Sequence, residues 1–189
     1  MTVAELGLAL AVLLLTPGPT NTLMLMAGAE RGWAGAVRLI PVEVAAYLAV
    51  IAPLALLAQG FAAPLAVARP VVAVLAGIWV LYLAWTMWGH APQPGMAGTV
   101  TARRLSVTTA LNPKGLIMGL VLLPAAGATP VAFGVLVMCI VAVAGIWAWI
   151  GTGLPGTRHG AALPPLWRRA ASVWLAGLAV FIVAGGIAA

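Results

Sequence analysis

Thr16-Pro17-Gly18-Pro19-Thr20-Asn21 interrupts an apolar run, with Leu8 to Leu15 ahead of it and Leu23 to Ala29 behind. The whole run is long enough to cross a bilayer, so the break falls near its middle. Proline removes a backbone donor, and its ring clashes with the preceding turn. Hydrocarbon offers no water to repair the lost bond, so broken helix survives at that depth only inside protein or beside a cavity. Secondary transporters build solute sites from such interrupted helices. The stretch predicts a membrane helix broken at mid-depth and raises the reading of a small secondary transporter.

Composition supports that choice of solvent. The chain is 64% hydrophobic and 6% charged, against roughly 25% charged residues in a soluble domain. Apolar stretches of about 20 residues recur along the length and leave no room for a sizeable soluble domain. A net charge of +6 would suggest nucleic acid in a soluble protein. Here the arginines punctuate apolar runs and read as topology signals. Membrane lipid is therefore the expected partner, and nucleic acid is not. Cys139, the single cysteine, excludes a disulfide framework and a cysteine-based metal site. Met1 to Glu5 carries no basic segment ahead of its apolar run, so it reads as the start of a span and not as a cleaved signal.

The expected fold is an all-α membrane protein, one transmembrane domain over 1–189 with six spans: 3–29, 33–58, 70–88, 105–125, 131–150 and 170–187. Glu30-Arg31-Gly32 reads as a charged turn, and 59–64 as a loop. Residues 89–104 and 151–169 form the two long connections. The halves 1–88 and 105–189 each open on a proline-broken span, at Thr16-Pro17 and at Asn112-Pro113. Those two spans run in opposite directions, as in inverted three-helix repeats. Arg31, Arg38, Arg103, Arg104, Arg158, Arg168 and Arg169 fall on one side of this arrangement and Arg69 alone on the other. The positive-inside bias then places both termini outside. Trp33, Trp85, Trp88, Trp147, Trp149 and Trp167 fall at the basic ends, as an interfacial belt would.

Thr and Asn are good N-caps, and proline suits the first helical position. Both breaks therefore read as helix restarts, each with free N–H donors and partial positive charge. Together they would receive an anionic group such as a carboxylate, unless they are only packing kinks. Lys114 lies about ten residues past Arg104, roughly 15 Å deep at 1.5 Å per residue. A charge there costs at least ~2.5–3.5 kcal/mol on insertion scales. Its position just after a helix start adds to the penalty. The offset is either a bound anion or Glu43, which lies at similar depth. Glu43 and Lys114 read either as two walls of one cavity or as a static ion pair. In the cavity reading, Glu43 takes a substrate ammonium or a proton, and Lys114 takes a carboxylate. Asn21, Thr20, Thr108, Thr109 and Tyr47 could add hydrogen bonds. Met24, Met26 and Met118 read as packing, and His90 and His159 as solvated loop residues. No zinc, P-loop or dinucleotide motif is present, so no metal and no cofactor are expected.

Thr16-Pro17-Gly18-Pro19 followed by Glu30-Arg31-Gly32 resembles the opening of LysE/RhtB-type amino-acid exporters. Asn112-Pro113-Lys114 followed by Leu123-Pro124 resembles that family's second signature. The resemblance implies an inner-membrane exporter of amino acids or related small metabolites, driven by the proton-motive force and homo-oligomeric. Pro17, Gly18, Pro19, Asn112, Pro113 and Lys114 carry over from its motifs. With Asn21 and Glu43 they form the expected substrate-binding set. A passive channel and a structural membrane subunit are the alternatives. An enzyme is disfavoured, since no acidic pair at mid-depth and no Ser/His or Cys/His set is present to act as catalytic residues.

Overall fold

The computed structural model describes residues 1–89, 100–154 and 165–187. Among these residues the secondary structure is entirely helical. Helix α1, Val3–Leu15, opens on a reciprocal cap: Thr2 N–H donates to Glu5 Oε2 at 2.8 Å, and Glu5 N–H donates to Thr2 Oγ1 at 3.2 Å. Leu6, Leu10 and Leu14, four residues apart, form its buried stripe. The helix stops at Thr16, because a residue before proline is pushed out of helical geometry; its ψ is 125°. Helix α2, Pro19–Val37, restarts with Pro19 in its first turn and lies at 67° to α1. Its ladder breaks again at Gly32, whose φ of 67° and ψ of 178° only glycine adopts readily. The expected charged turn is therefore an interruption inside α2, and the chain turns later, at Arg38 and Leu39.

Helix α3 runs Ile40–Gly89. The loop expected at 59–64 is absent from the helix assignment. Pro64 lies inside this helix and withholds one N–H from its ladder without ending it. A straight rod would separate Tyr47 from Trp79 by about 48 Å at 1.5 Å per residue. Both side chains instead reach the neighbourhood of one segment, Thr108 to Asn112. Leu39 and Ile40 likewise share a core cluster with Val80, Leu83 and Ala84. So α3 is not straight, and its two ends lie in the same neighbourhood.

Helix α4, Ala102–Ala110, is capped by Thr101, whose Oγ1 accepts from Arg104 N–H at 3.2 Å. It ends before Asn112-Pro113. The chain continues as α5, Pro113–Ile117, a π-helical turn at Met118–Leu122, and α6, Leu123–Ala125, bent 47° from α4. Pro124 explains the wide turn: it supplies no N–H and crowds the carbonyl four residues back. Helix α7, Pro130–Thr152, is capped by Thr129 and buries Leu136, Ile140, Ala144 and Ala148. Helix α8, Pro165–Ile187, packs along α3, and α2 packs along α7.

The six-span expectation is corrected here, and with it the pair of inverted three-helix repeats. Among the described residues two helices are long and apolar enough to cross a membrane, Ile40–Ala58 and Pro130–Thr152. The number rises to four if each bent pair, α1 with α2 and α4 with Pro113–Ala125, is one span. Of the expected third span only Gly77–Thr86 remains as a described apolar helix. The expected sixth lies in α8, several of whose side chains are outside the described residues. The molecule is thus a helical protein with a few helices able to span a membrane.

Candidate functional site

The two proline breaks meet. The Asn112 side chain is the centre of the contact. Its Oδ1 accepts from Lys114 N–H at 3.1 Å and so caps α5. Its Nδ2 donates to Thr20 Oγ1 and to Tyr47 OH, each at 2.9 Å. One amide therefore joins the start of α5 to the first turn of α2 and to the inner face of α3. That inner face is the buried series Glu43, Tyr47, Ile51 and Ala55, again four residues apart.

Lys114 turns away from its own helix start. Its ammonium donates to the carbonyl of Leu14 at 3.2 Å and to that of Thr16. The Asn21 amide donates to the same two carbonyls, at 2.7 and 3.0 Å. The carbonyls that the first break orphans are thus satisfied by one residue from each motif. The C-terminal end of a helix also favours a cation. This is the offset the sequence left open for Lys114. The expectation named a bound anion or Glu43; the structure supplies the end of α1.

Glu43 is 3% exposed, and its Oε2 has no hydrogen-bond partner. It interacts electrostatically with Lys114 and Tyr47 without a direct bridge to the ammonium. The static ion pair, one of the two sequence readings, is therefore not formed. A buried carboxylate oxygen without a donor is costly to maintain. Thr109 Oγ1 and Trp147 Nε1 are two further buried polar atoms without a partner. Trp147 packs against both hydrophobic clusters, where an interfacial position was expected.

The remaining expected residues divide by burial. Gly18, Pro19 and Asn21 are buried, Pro113 is half-buried and Pro17 is exposed. Gly18 has a packing reason: a Cβ there would lie 3.3 Å from both Cε and Nζ of Lys114. The two restarts also differ as anion receptors. The start of α5 is occupied by Asn112, whereas α2 begins at Gly18 with no side-chain cap. Thr108 accepts from Trp79 Nε1 at 2.8 Å, a bond between α4 and the far end of α3 that the sequence did not indicate. Met24, Met26 and Met118 are fully buried among apolar neighbours, as read. His90 and His159 lie outside the described residues. Among the described residues no cluster of His, Cys, Asp or Glu could hold a metal ion.

A second contact involves the other expected motif segment. Glu30 Oε2 accepts from Val100 N–H at 3.4 Å, and the Arg31 guanidinium donates to Val100 C=O. Adjacent residues of α2 thus hold both backbone groups of the residue that leads into α4.

Comparison of the chain with protein-family models, with curated proteins and with solved structures finds no match.

Proposed function

We propose that this chain is a multi-pass secondary transporter of the bacterial inner membrane that exports amino acids or related small metabolites in exchange for protons. The observation that carries the reading is Glu43: a fully buried carboxylate with an unpartnered oxygen, beside the place where two broken helices meet. Ionisable groups at membrane depth are costly, and where they persist they mark ion and solute pathways. Glu43 is suited to take a substrate ammonium or a proton. The uncapped start of α2 is suited to an anionic group. In this reading both termini are periplasmic and the arginine-bearing ends are cytoplasmic. The resemblance of both motifs to LysE/RhtB-type exporters supports the direction of transport and a homo-oligomeric assembly.

The test is flux of labelled amino acids and organic acids from vesicles holding the purified full chain. Flux that needs a pH gradient and is lost in Glu43→Gln is the expected result. Flux indifferent to that gradient would indicate a passive channel. A second reading, a structural subunit without transport, draws on one observation: the Lys114 ammonium is bonded to the chain's own carbonyls. It predicts no flux for any of these solutes, with folding still dependent on Lys114.

A further inference from the structure

We propose that the C-terminal end of α1 is a seat for a monovalent cation, which Lys114 fills from within the chain in place of a free alkali ion. The seat is made of two main-chain carbonyls, Leu14 O and Thr16 O, both turned onto the ammonium. The Asn21 amide holds the same two oxygens in position from the other side. The dipole of α1 adds negative potential at this end, and α1 offers no cation of its own. Carbonyls at the ends of broken membrane helices are the groups that coordinate coupling ions in transporters. Here a tethered ammonium occupies that position, 8% exposed, and Gly18 leaves it room. Lys114 comes from 98 and 100 residues away to reach these oxygens, and it is the only lysine in the sequence.

The ligand class follows. With Lys114 in place the protein needs no sodium or potassium at this point. With Lys114 shortened, the seat accepts a small monovalent cation. This goes beyond the transport reading and does not depend on it, because the readouts are stability and chemical protection, not flux.

The experiment compares melting midpoints of the full chain and of Lys114→Ala in methylammonium chloride and in choline chloride at equal ionic strength. The unsubstituted chain should respond alike to both salts. Lys114→Ala should melt higher in methylammonium by about 2 °C or more once the ion is well above its Kd. Equal response of Lys114→Ala to the two salts overturns the proposal. Should Lys114→Ala fail to fold, an amine-reactive ester reads the seat directly. Lys114 should label far more slowly than an exposed amine, and Gly18→Ala, which crowds Cε and Nζ, should raise its labelling several-fold. Rapid labelling in the unsubstituted chain, or no change in Gly18→Ala, also overturns it.

Discussion

Asn112 makes three side-chain hydrogen bonds with one small group, to α5, α2 and α3. Loss of the cap alone is worth about 0.5–2 kcal/mol. Thr20 and Tyr47 would each also lose a donor in a buried place. Asn112→Ala should therefore lower unfolding stability by about 2–3 kcal/mol, since bonds of this kind inside membranes average well under 1 kcal/mol each. Asn112→Asp keeps an acceptor for Lys114 N–H and loses only the donors, so chemical denaturation should find it between the two. Glu43 has the opposite sign. Replacing a buried, unpartnered carboxylate by an apolar side chain removes a penalty, and Lys114 keeps its two carbonyls. Glu43→Leu should raise the thermal midpoint, by a gain of about 1–2 kcal/mol. A lowered midpoint would mean that Glu43 contributes net stability. At this scale the sequence was partly legible. The capping role of Asn112 follows from the proline after it, and Glu43 and Lys114 stand out as isolated charges in apolar runs. The partner of Lys114 did not, because a main-chain carbonyl freed by a distant proline leaves no residue type to search for.

Helices α2 and α7 touch backbone to backbone. A Cβ on Gly28 would fall 2.0 Å from Ala148 O, and one on Gly151 would fall 1.9 Å from Leu25 O. Small residues allow such approach, and packing is what drives helix association in lipid. Gly28→Ala or Gly151→Ala should cost about 3 kcal/mol or more, since backbone cannot move aside as a side chain can. Gly134→Ala, on the same α7 with nothing within 4 Å, is the control. It should gain about 0.5–1 kcal/mol from helix propensity. Thermal unfolding of the three variants separates contact from propensity. Element types were legible from apolar runs and from the Asn112 cap. Element ends were less so. Helix α3 continues through the stretch from Gln59 to Pro64 that suggested a loop. The wide turn before Pro124 has no composition of its own and arises from the missing N–H.

Over the whole molecule, among the described residues one basic group lies over an aromatic ring. Arg31 meets Val100, near Arg103 and Arg104, and the Arg169 guanidinium lies 5.7 Å from the Trp88 ring centre. Trp33, Trp85, Trp88, Trp149 and Trp174 are exposed. If that end faces the cytoplasm, a phosphatase fused to the C-terminus should be active and a fluorescent protein fused there should stay dark. The reverse pattern would invert the proposed orientation. Hydrophobic composition indicated helices able to span a membrane but not their number, since apolar length alone does not distinguish one bent helix from two. The bonds that repair the first break have a temporal side. Leu14 and Thr16 are made about a hundred residues before Lys114. At about 5–20 residues per second, Asn21 is made almost at once, whereas the second donor to those two carbonyls follows only after roughly 5–20 s. Throughout that interval the bent pair of α1 and α2 is held at its break by Asn21 alone, and Lys114 locks it when α5 arrives.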